Sequence, residues 1–384
     1  MRGRSAAHAL LRTGLLVALL AASGCSGRAS ESPDEVPTFL GSVNLEVGEI
    51  DGDDPYLFTR IPSIVEDPGG RVIVADMQSH EVRVFGPDGR FLFRFGGQGE
   101  GPGELTRPCC LTFGPDGALW VREETRYSVF RLAAAGADYE RGVRIAHASV
   151  GLVAPITFDA EGRLVDIGSI MVEDGYVTAR LHHGTGGAVD TVLMADPERQ
   201  ATGSTTVERM FGEMAIAVHI SQPSGPRWIH AHGPGGMWAE AVTSEYSVAL
   251  HHPDGTVSRI EGPALPGPPL SPAERERAQA SIDRDLSRAD LRNHPFGIPD
   301  RKPPLADIFF DGSGRLWVEK AAADGDELRE ADVYAGTELV ARYRWPRRVR
   351  VGEVPWVSES TLYGTTSNSM DVQRVARVRF EPHL

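Results

Sequence analysis

The sequence predicts an all-β fold: a six-bladed β-propeller of four-stranded antiparallel blades, with one short helical insertion. Two observations carry this. A unit recurs six times, an apolar stretch and an acidic or glycine turn leading into Gly-x-[Leu/Val/Met]-[Trp/Ile]-[Val/Ala]. Alternating apolar and polar residues with Gly-Asp turns then follow, as in EVRVFGPDGRFLFRFG (81–96). Period-two alternation broken by such turns marks antiparallel hairpins. Four strands in roughly 40–50 residues make one propeller blade.

The six copies are EDPGGRVIVAD (66–76), FGPDGALWVRE (113–123), FDAEGRLVDIG (158–168), HGPGGMWAEA (232–241), FDGSGRLWVEK (310–320) and VSESTLYGTT (357–366). Their turn residues are Gly70, Gly117, Gly162, Gly235, Gly314 and Ser360, at spacings of 47, 45, 73, 79 and 46. A single blade cannot bury both of its faces, so blades stack around an axis. The last unit has three strands. FLGSVNLEVGEI (39–50) supplies a fourth, so the N-terminal strand is expected to close the last blade and hide two sheet edges.

The stretch IVADMQSHEVRVFGPDGRFLFRFGGQGEGPGEL (73–105) resembles an NHL repeat in its order of strand, Asp, basic-Val-x-Val-Phe, Asp-Gly and glycine loop. The chain is most similar to the NHL-type six-bladed propeller lipoproteins of bacteria, most strongly over residues 60–132. Propellers of this type include binding scaffolds, lactonases and amidating lyases, so the resemblance implies a fold and no single activity. The glycine loop FGGQGEGPGEL (95–105) meets neither the dinucleotide nor the Walker pattern. It reads as a connector from an outer strand to the next inner one.

Residues 1–24 read as a lipoprotein signal peptide: Arg2, Arg4 and Arg12 precede the apolar run LLVALLAA, which ends at Ala22-Ser23-Gly24-Cys25. The resemblance to a lipobox implies cleavage before Cys25 and lipidation of its thiol. Ser26 in the next position favours the outer membrane. Residues 25–38 read as a flexible tether and 39–384 as the propeller. The expected location is therefore the bacterial cell envelope, with membrane contact only through the Cys25 lipid. The net charge is −14, and the leader contributes three of the basic residues, so nucleic acid is a poor partner.

Two long spacings locate insertions at 195–226 and 263–304, both on the face of the outer-to-inner connections. Insertions gathered on one face mark a binding face. In the second, Ser271-Pro272-Ala273-Glu274 is a capping box, and Ala278, Ile282, Leu286 and Ala289 form an apolar helical stripe.

Arg60, Arg107 and Arg227 each precede an inner strand and are expected to ring one channel mouth, where guanidinium groups can hold a carboxylate or sulfate. His230 and His232 lie two apart in one strand and so share a face. With a third ligand such as Asp307, Asp76 or His80 they could hold zinc or calcium. No cofactor is required by any motif. Cys109 and Cys110 are read as two buried thiols, because side chains diverge along a strand. Neither Gly-x-Ser-x-Gly nor His-Glu-x-x-His occurs. The expectation is thus a monomeric, non-enzymatic binding module for a protein, peptide or glycan. The alternative is a metal-dependent propeller enzyme of the lactonase or lyase type, with its site at the channel mouth.

Overall fold

Alternating sequence becomes strand throughout the computed structural model, which describes residues 36–145, 153, 155–172, 175–184, 189–194, 197–211 and 214–383. The signal peptide, Cys25 and most of the tether lie outside the described residues. Strand β1 spans Thr38–Val47. The first sheet holds β2 (Ser63–Glu66), β3 (Val72–Asp76), β4 (Glu81–Phe85) and β5 (Phe91–Gly96). The second holds β6 (Leu111–Phe113), β7 (Leu119–Arg122), β8 (Arg126–Leu132) and β9 (Ala137–Arg144). The third holds β10 (Thr157–Phe158), β11 (Leu164–Val172), β12 (Gly175–His183) and β13 (Val189–Leu193). A short helix α1 (Pro197–Gln200) and a separate hairpin, β14 (Ser204–Phe211) and β15 (Met214–Ser221), follow. The fourth sheet holds β16 (Trp228–His232), β17 (Trp238–Val242), β18 (Ser247–His251) and β19 (Val257–Glu261). After α2 (Pro272–Ala289) come β20 (Leu305–Phe310), β21 (Leu316–Lys320), β22 (Leu328–Ala335), β23 (Glu338–Pro346), β24 (Trp356–Val357), β25 (Thr361–Ser367) and β26 (Gln373–His383).

These last seven strands and β1 form one eight-stranded sheet, in the order β20-β21-β22-β23-β1-β26-β25-β24. Its end strands approach each other where Gly312 N–H, just past β20, donates to Val357 O in β24 at 3.1 Å, so the sheet is nearly closed. The expectation of six separate four-stranded blades is therefore corrected. There are four four-stranded sheets in a propeller-like arrangement and one large, barrel-like sheet. The cause lies in β1. It pairs antiparallel with β26 from Thr38 to Val47, as an outer strand would. Its other edge pairs in parallel with β23, Thr38–Leu40 against Arg342–Arg344. An edge strand leaves a row of N–H and C=O groups unmet, and β1 meets such a row on both sides. Residues Val36–Leu384 make one compact unit.

Three of the turns after first strands share one device. Asp67, Asp159 and Asp311 each take the backbone N–H groups of the residues two and four ahead on Oδ1. Each takes an arginine Nε on Oδ2 at 2.7 Å, from Arg71, Arg163 and Arg315 respectively. The glycine before each arginine has φ of 78°, 75° and 81°, a region that L side chains rarely enter. The motif Asp-x-x-Gly-Arg thus fixes the angle at which the second strand leaves the first.

Neighbouring sheets are held by apolar clusters. Ile229, Ala239 and Val248 of the fourth sheet pack on Ile308, Leu316 and Val318 of the large one. Burying side chains of this size contributes about 1.5–3 kcal/mol each. The third and fourth sheets differ. Among the described residues their shared cluster is small, Ile167, Met194 and Trp238 with Trp228 against them.

The two insertions pack on each other. Ala289 of α2 meets Val218 and Ile220 of β15, and Arg288 donates to His219 O at 2.8 Å. The capping box forms, with Ser271 Oγ accepting from Glu274 N at 3.1 Å and Glu274 Oε2 accepting from Ser271 N at 3.0 Å. Helix α2 ends at Ala289, with Asp290 in the left-handed conformation at φ 54°. Among the described residues no helix is long and apolar enough to cross a membrane.

Candidate active site at the mouth of the first strands

Each of the three arginines expected to ring one mouth has a partner of its own. Arg60 lies 3.8 Å from Glu353 and Arg107 lies 3.9 Å from Glu124, both as exposed pairs. Such pairs contribute little, about 0–1 kcal/mol. Arg227 is placed differently. Its Nη2 donates to Ala306 O, and its charge acts on two carboxyls, Asp307 and Glu319.

His230 and His232 do come together. His230 Nδ1 is 3.1 Å from His232 Nε2, so one ring donates to the other. Both are neutral at neutral pH. Burial pushes His230 down to about 4, against the pull of Glu240. Burial, then the charges of His230, Arg180 and His182, push His232 well below its ordinary value. Glu240 has polar partners of its own, accepting from Trp228 Nε1 at 2.7 Å and lying 3.4 Å from Arg199. His232 also lines a cavity of about 1040 Å³ at the far end of the first strands, together with Phe113, Phe310 and Trp356. Asp307 is not among the groups acting on either histidine. Among the described residues, no three His, Cys, Asp or Glu side chains are grouped to hold a metal ion.

Asp307 belongs to another constellation. It stands directly opposite Glu319 across the β20–β21 pair. Residues so placed project from the same face of the sheet, with Cβ atoms about 4.5–5.5 Å apart. Glu319 is buried, and Arg329 Nη1 donates to its Oε1 at 2.6 Å. Asp307 is exposed, yet its carboxyl is held above the ordinary range by the protein crowded around it, against the Arg227 charge and a bond from Ile308 N. Glu319 is raised too, by burial first, with the Asp307 charge adding and Arg329 and Arg227 opposing. Two perturbed carboxyls facing each other across a strand pair mark a candidate functional site.

Glu319 and Arg329 were not singled out by the sequence. A signal exists in LWVEK, where a glutamate falls in the middle of an otherwise buried strand. Asp76, read as a brace, accepts from Thr59 N at 3.1 Å and Arg60 N at 3.1 Å, and lies 3.4 Å from Arg83. Glu123 does the same for the second sheet, accepting from Thr106 N at 2.8 Å and Ser128 Oγ at 2.5 Å. Arg126 clamps the glycine loop, donating to Glu100 O and Glu104 O at 2.6 Å each. That loop binds itself to the scaffold and leaves no phosphate cradle.

Cys109 and Cys110 are joined by a vicinal disulfide, not left as thiols. Their Cα atoms are 3.7 Å apart. Both lie just ahead of β6, so the divergence of side chains along a strand does not apply to them. The pair is buried among Met77, Trp120 and Tyr127.

No family model matches the chain, and no curated protein matches it in sequence. Solved structures do share its outline. Virginiamycin B lyase of Staphylococcus aureus aligns at 12% identity with a TM-score of 0.44, over 89% of this chain and 99% of that one. The PQQ-bound aldose sugar dehydrogenase of Streptomyces coelicolor aligns at 10% identity with a TM-score of 0.43, over 89% and 98%. A luciferin-regenerating enzyme aligns at 10% with a TM-score of 0.40, over 84% and 92%. These values transfer neither family nor activity. The resemblance to NHL-type six-bladed lipoproteins is corrected, since no family matches and the sheet order is not six separate blades. The expectation of a non-enzymatic binding module is corrected as well. The chain holds a cross-strand carboxyl pair, Asp307 and Glu319, both raised, with the Arg227 charge acting on each.

Proposed function

We propose that the chain is an enzyme that cleaves a small organic anion by proton transfer, as a lyase or a lactone hydrolase. The observation that supports this is the cross-strand pair of Asp307 and Glu319, both raised, with only Asp307 open to solvent. A group poised near the working pH is the efficient acid or base. Asp307 is the group that meets substrate. Glu319, fixed by Arg329, stands across the strand pair from it, and burial keeps the proton affinity of Asp307 high. Arg227 binds the substrate anion and stabilises negative charge that grows as a proton leaves the neighbouring carbon. In an elimination, Asp307 takes that proton and the electron pair becomes the new double bond. The leaving oxygen departs and recovers the proton from Asp307. In lactone opening, the same carboxylate takes the proton of the attacking water and returns it to the ring oxygen.

The test is turnover of a panel of lactones and of carboxylates with a β-leaving group, followed by mass spectrometry. Asp307→Asn is expected to lose at least a hundredfold in rate with its fold intact, and full activity in that variant would overturn the assignment. The 3.1 Å approach of His230 and His232 favours one second reading. Stoichiometric zinc or calcium in the purified protein, lost in His230→Ala, would move the chemistry to the histidines. Lipidation at Cys25 would tether this activity to the cell envelope, and palmitate labelling lost in Cys25→Ala would test that.

A further inference from the structure

A pocket of about 280 Å³ is lined by Arg227, whose charge acts on Asp307, and by Lys302, Arg329 and Arg347 with Ser224 and Thr243. Four cations on one small pocket stand out in a chain of net charge −14. Each is pinned by a backbone carbonyl. Arg227 donates to Ala306 O, and Arg347 donates to Ala323 O. Arg329 Nε donates to Arg347 O at 3.2 Å, and Lys302 Nζ donates to Ala322 O at 2.7 Å. A long basic side chain ordinarily loses rotamer freedom when it grips a ligand. Here that freedom is already lost, and each guanidinium retains further N–H donors.

The neighbouring acids do not cancel this equally. Glu274 holds Lys302 at 2.6 Å, and Glu319 holds Arg329 at 2.6 Å. Asp324 reaches Arg347 only at 3.9 Å. For Arg227 no carboxylate lies within salt-bridge distance among the described residues, and Asp307 acts on it only through its charge at longer range. Two guanidinium groups with planar, forked donors are thus left for an incoming oxyanion, with two further cations behind them. This pattern suits a tetrahedral oxyanion of charge near −2. The walls come from the ends of both insertions, Ser224 and Gly225 of one and Lys302 and Pro303 of the other.

We infer that this pocket binds a phosphate group, as the recognition handle of the substrate. The inference rests on the enzymatic reading of Asp307 and names the class of its substrate: a small phosphorylated organic acid or lactone. The phosphate would sit in the pocket and the bond to be broken would face Asp307.

Calorimetric titration of the whole soluble chain with inorganic phosphate, methyl phosphate and acetate tests it. Inorganic and methyl phosphate are both expected to bind, tightening from pH 6 to pH 8 as the dianion forms, and acetate at least tenfold more weakly. Arg347→Gln is expected to weaken both phosphates at least tenfold, and Asp307→Asn to leave them within about twofold or tighten them. Binding of inorganic but not methyl phosphate would overturn the role as a substrate handle. Acetate binding as well as phosphate, or no phosphate binding below 10 mM, would overturn the inference outright. Where phosphate fails to bind while Asp307→Asn still abolishes turnover, only the substrate class falls. Where phosphate binds and Asp307→Asn leaves turnover untouched, the acid–base assignment falls instead.

Discussion

His230 Nδ1 stands 3.1 Å from His232 Nε2, and burial keeps both rings without a positive charge. An unfolded histidine takes its proton near pH 6.5, whereas folded His230 does so only at about 4. Between these values the unfolded state binds more protons. Stability is therefore retained above about pH 6.5 and lost as pH falls toward 4, at about 1.4 kcal/mol per pH unit for one group. Urea unfolding at pH 7, 6 and 5 should show this slope, and His230→Gln should flatten it. Equal slopes in the two proteins would refute the burial of a neutral pair.

Asp307 has the opposite sign. A carboxyl whose folded pKa is raised holds its proton more tightly when folded. Its contribution is present below the unfolded value of about 3.9 and lost as pH rises toward the raised one. Asp307→Asn should therefore raise the melting temperature at pH 7 and leave it unchanged at pH 3. A gain in stability with a loss of activity is the usual signature of a site strained for function. A lower melting temperature at pH 7 would show that Asp307 is structural.

Asp332 is buried and accepts from three donors: Tyr246 OH at 2.8 Å, and Lys320 Nζ and Arg342 Nε at 2.9 Å each. Removing the acid strands two cations that only Glu330 still serves. Asp332→Ala should cost about 3–5 kcal/mol, measured by chemical unfolding. Tyr246→Phe, which removes one donor only, should cost about 1 kcal/mol. Similar costs for both would mean that the cations find other partners.

The disulfide between Cys109 and Cys110 is buried. In the native protein both sulfurs should resist alkylation with or without reductant. After reduction in denaturant, the peptide that carries them should take up two labels. Two labels without reductant would restore the pair of thiols.

The strands and the turns were legible because their causes are local. Gly70, Gly162 and Gly314 mark turns that need positive φ, and the Asp and Arg of each turn stand at fixed offsets from them. The capping box of α2 was legible for the same reason. The fusion of β23 with β1 was not. Nothing in Arg342–Arg344 distinguishes a strand edge that faces water from one that meets Thr38–Leu40. The site was half legible. Arg227 was visible as a charged residue ahead of an inner strand and Asp307 only as a candidate metal ligand; Glu319 and Arg329 lie on the next two strands, β21 and β22, and only register brings them together. The histidine pair was legible as a pair, because residues two apart in a strand must share a face.

β1 binds residues at the opposite end of the chain, with Thr38 against His383 and Val47 against Val375. During synthesis β1 must therefore wait for β26. Loop-closure entropy grows only slowly with length, by about 0.6 kcal/mol per doubling, so the wait costs little at equilibrium. It costs time, because contacts so distant in sequence form late. Until β26 arrives, β1 carries an unmet edge, and a chain shortened by that strand would keep it, open to any other strand nearby.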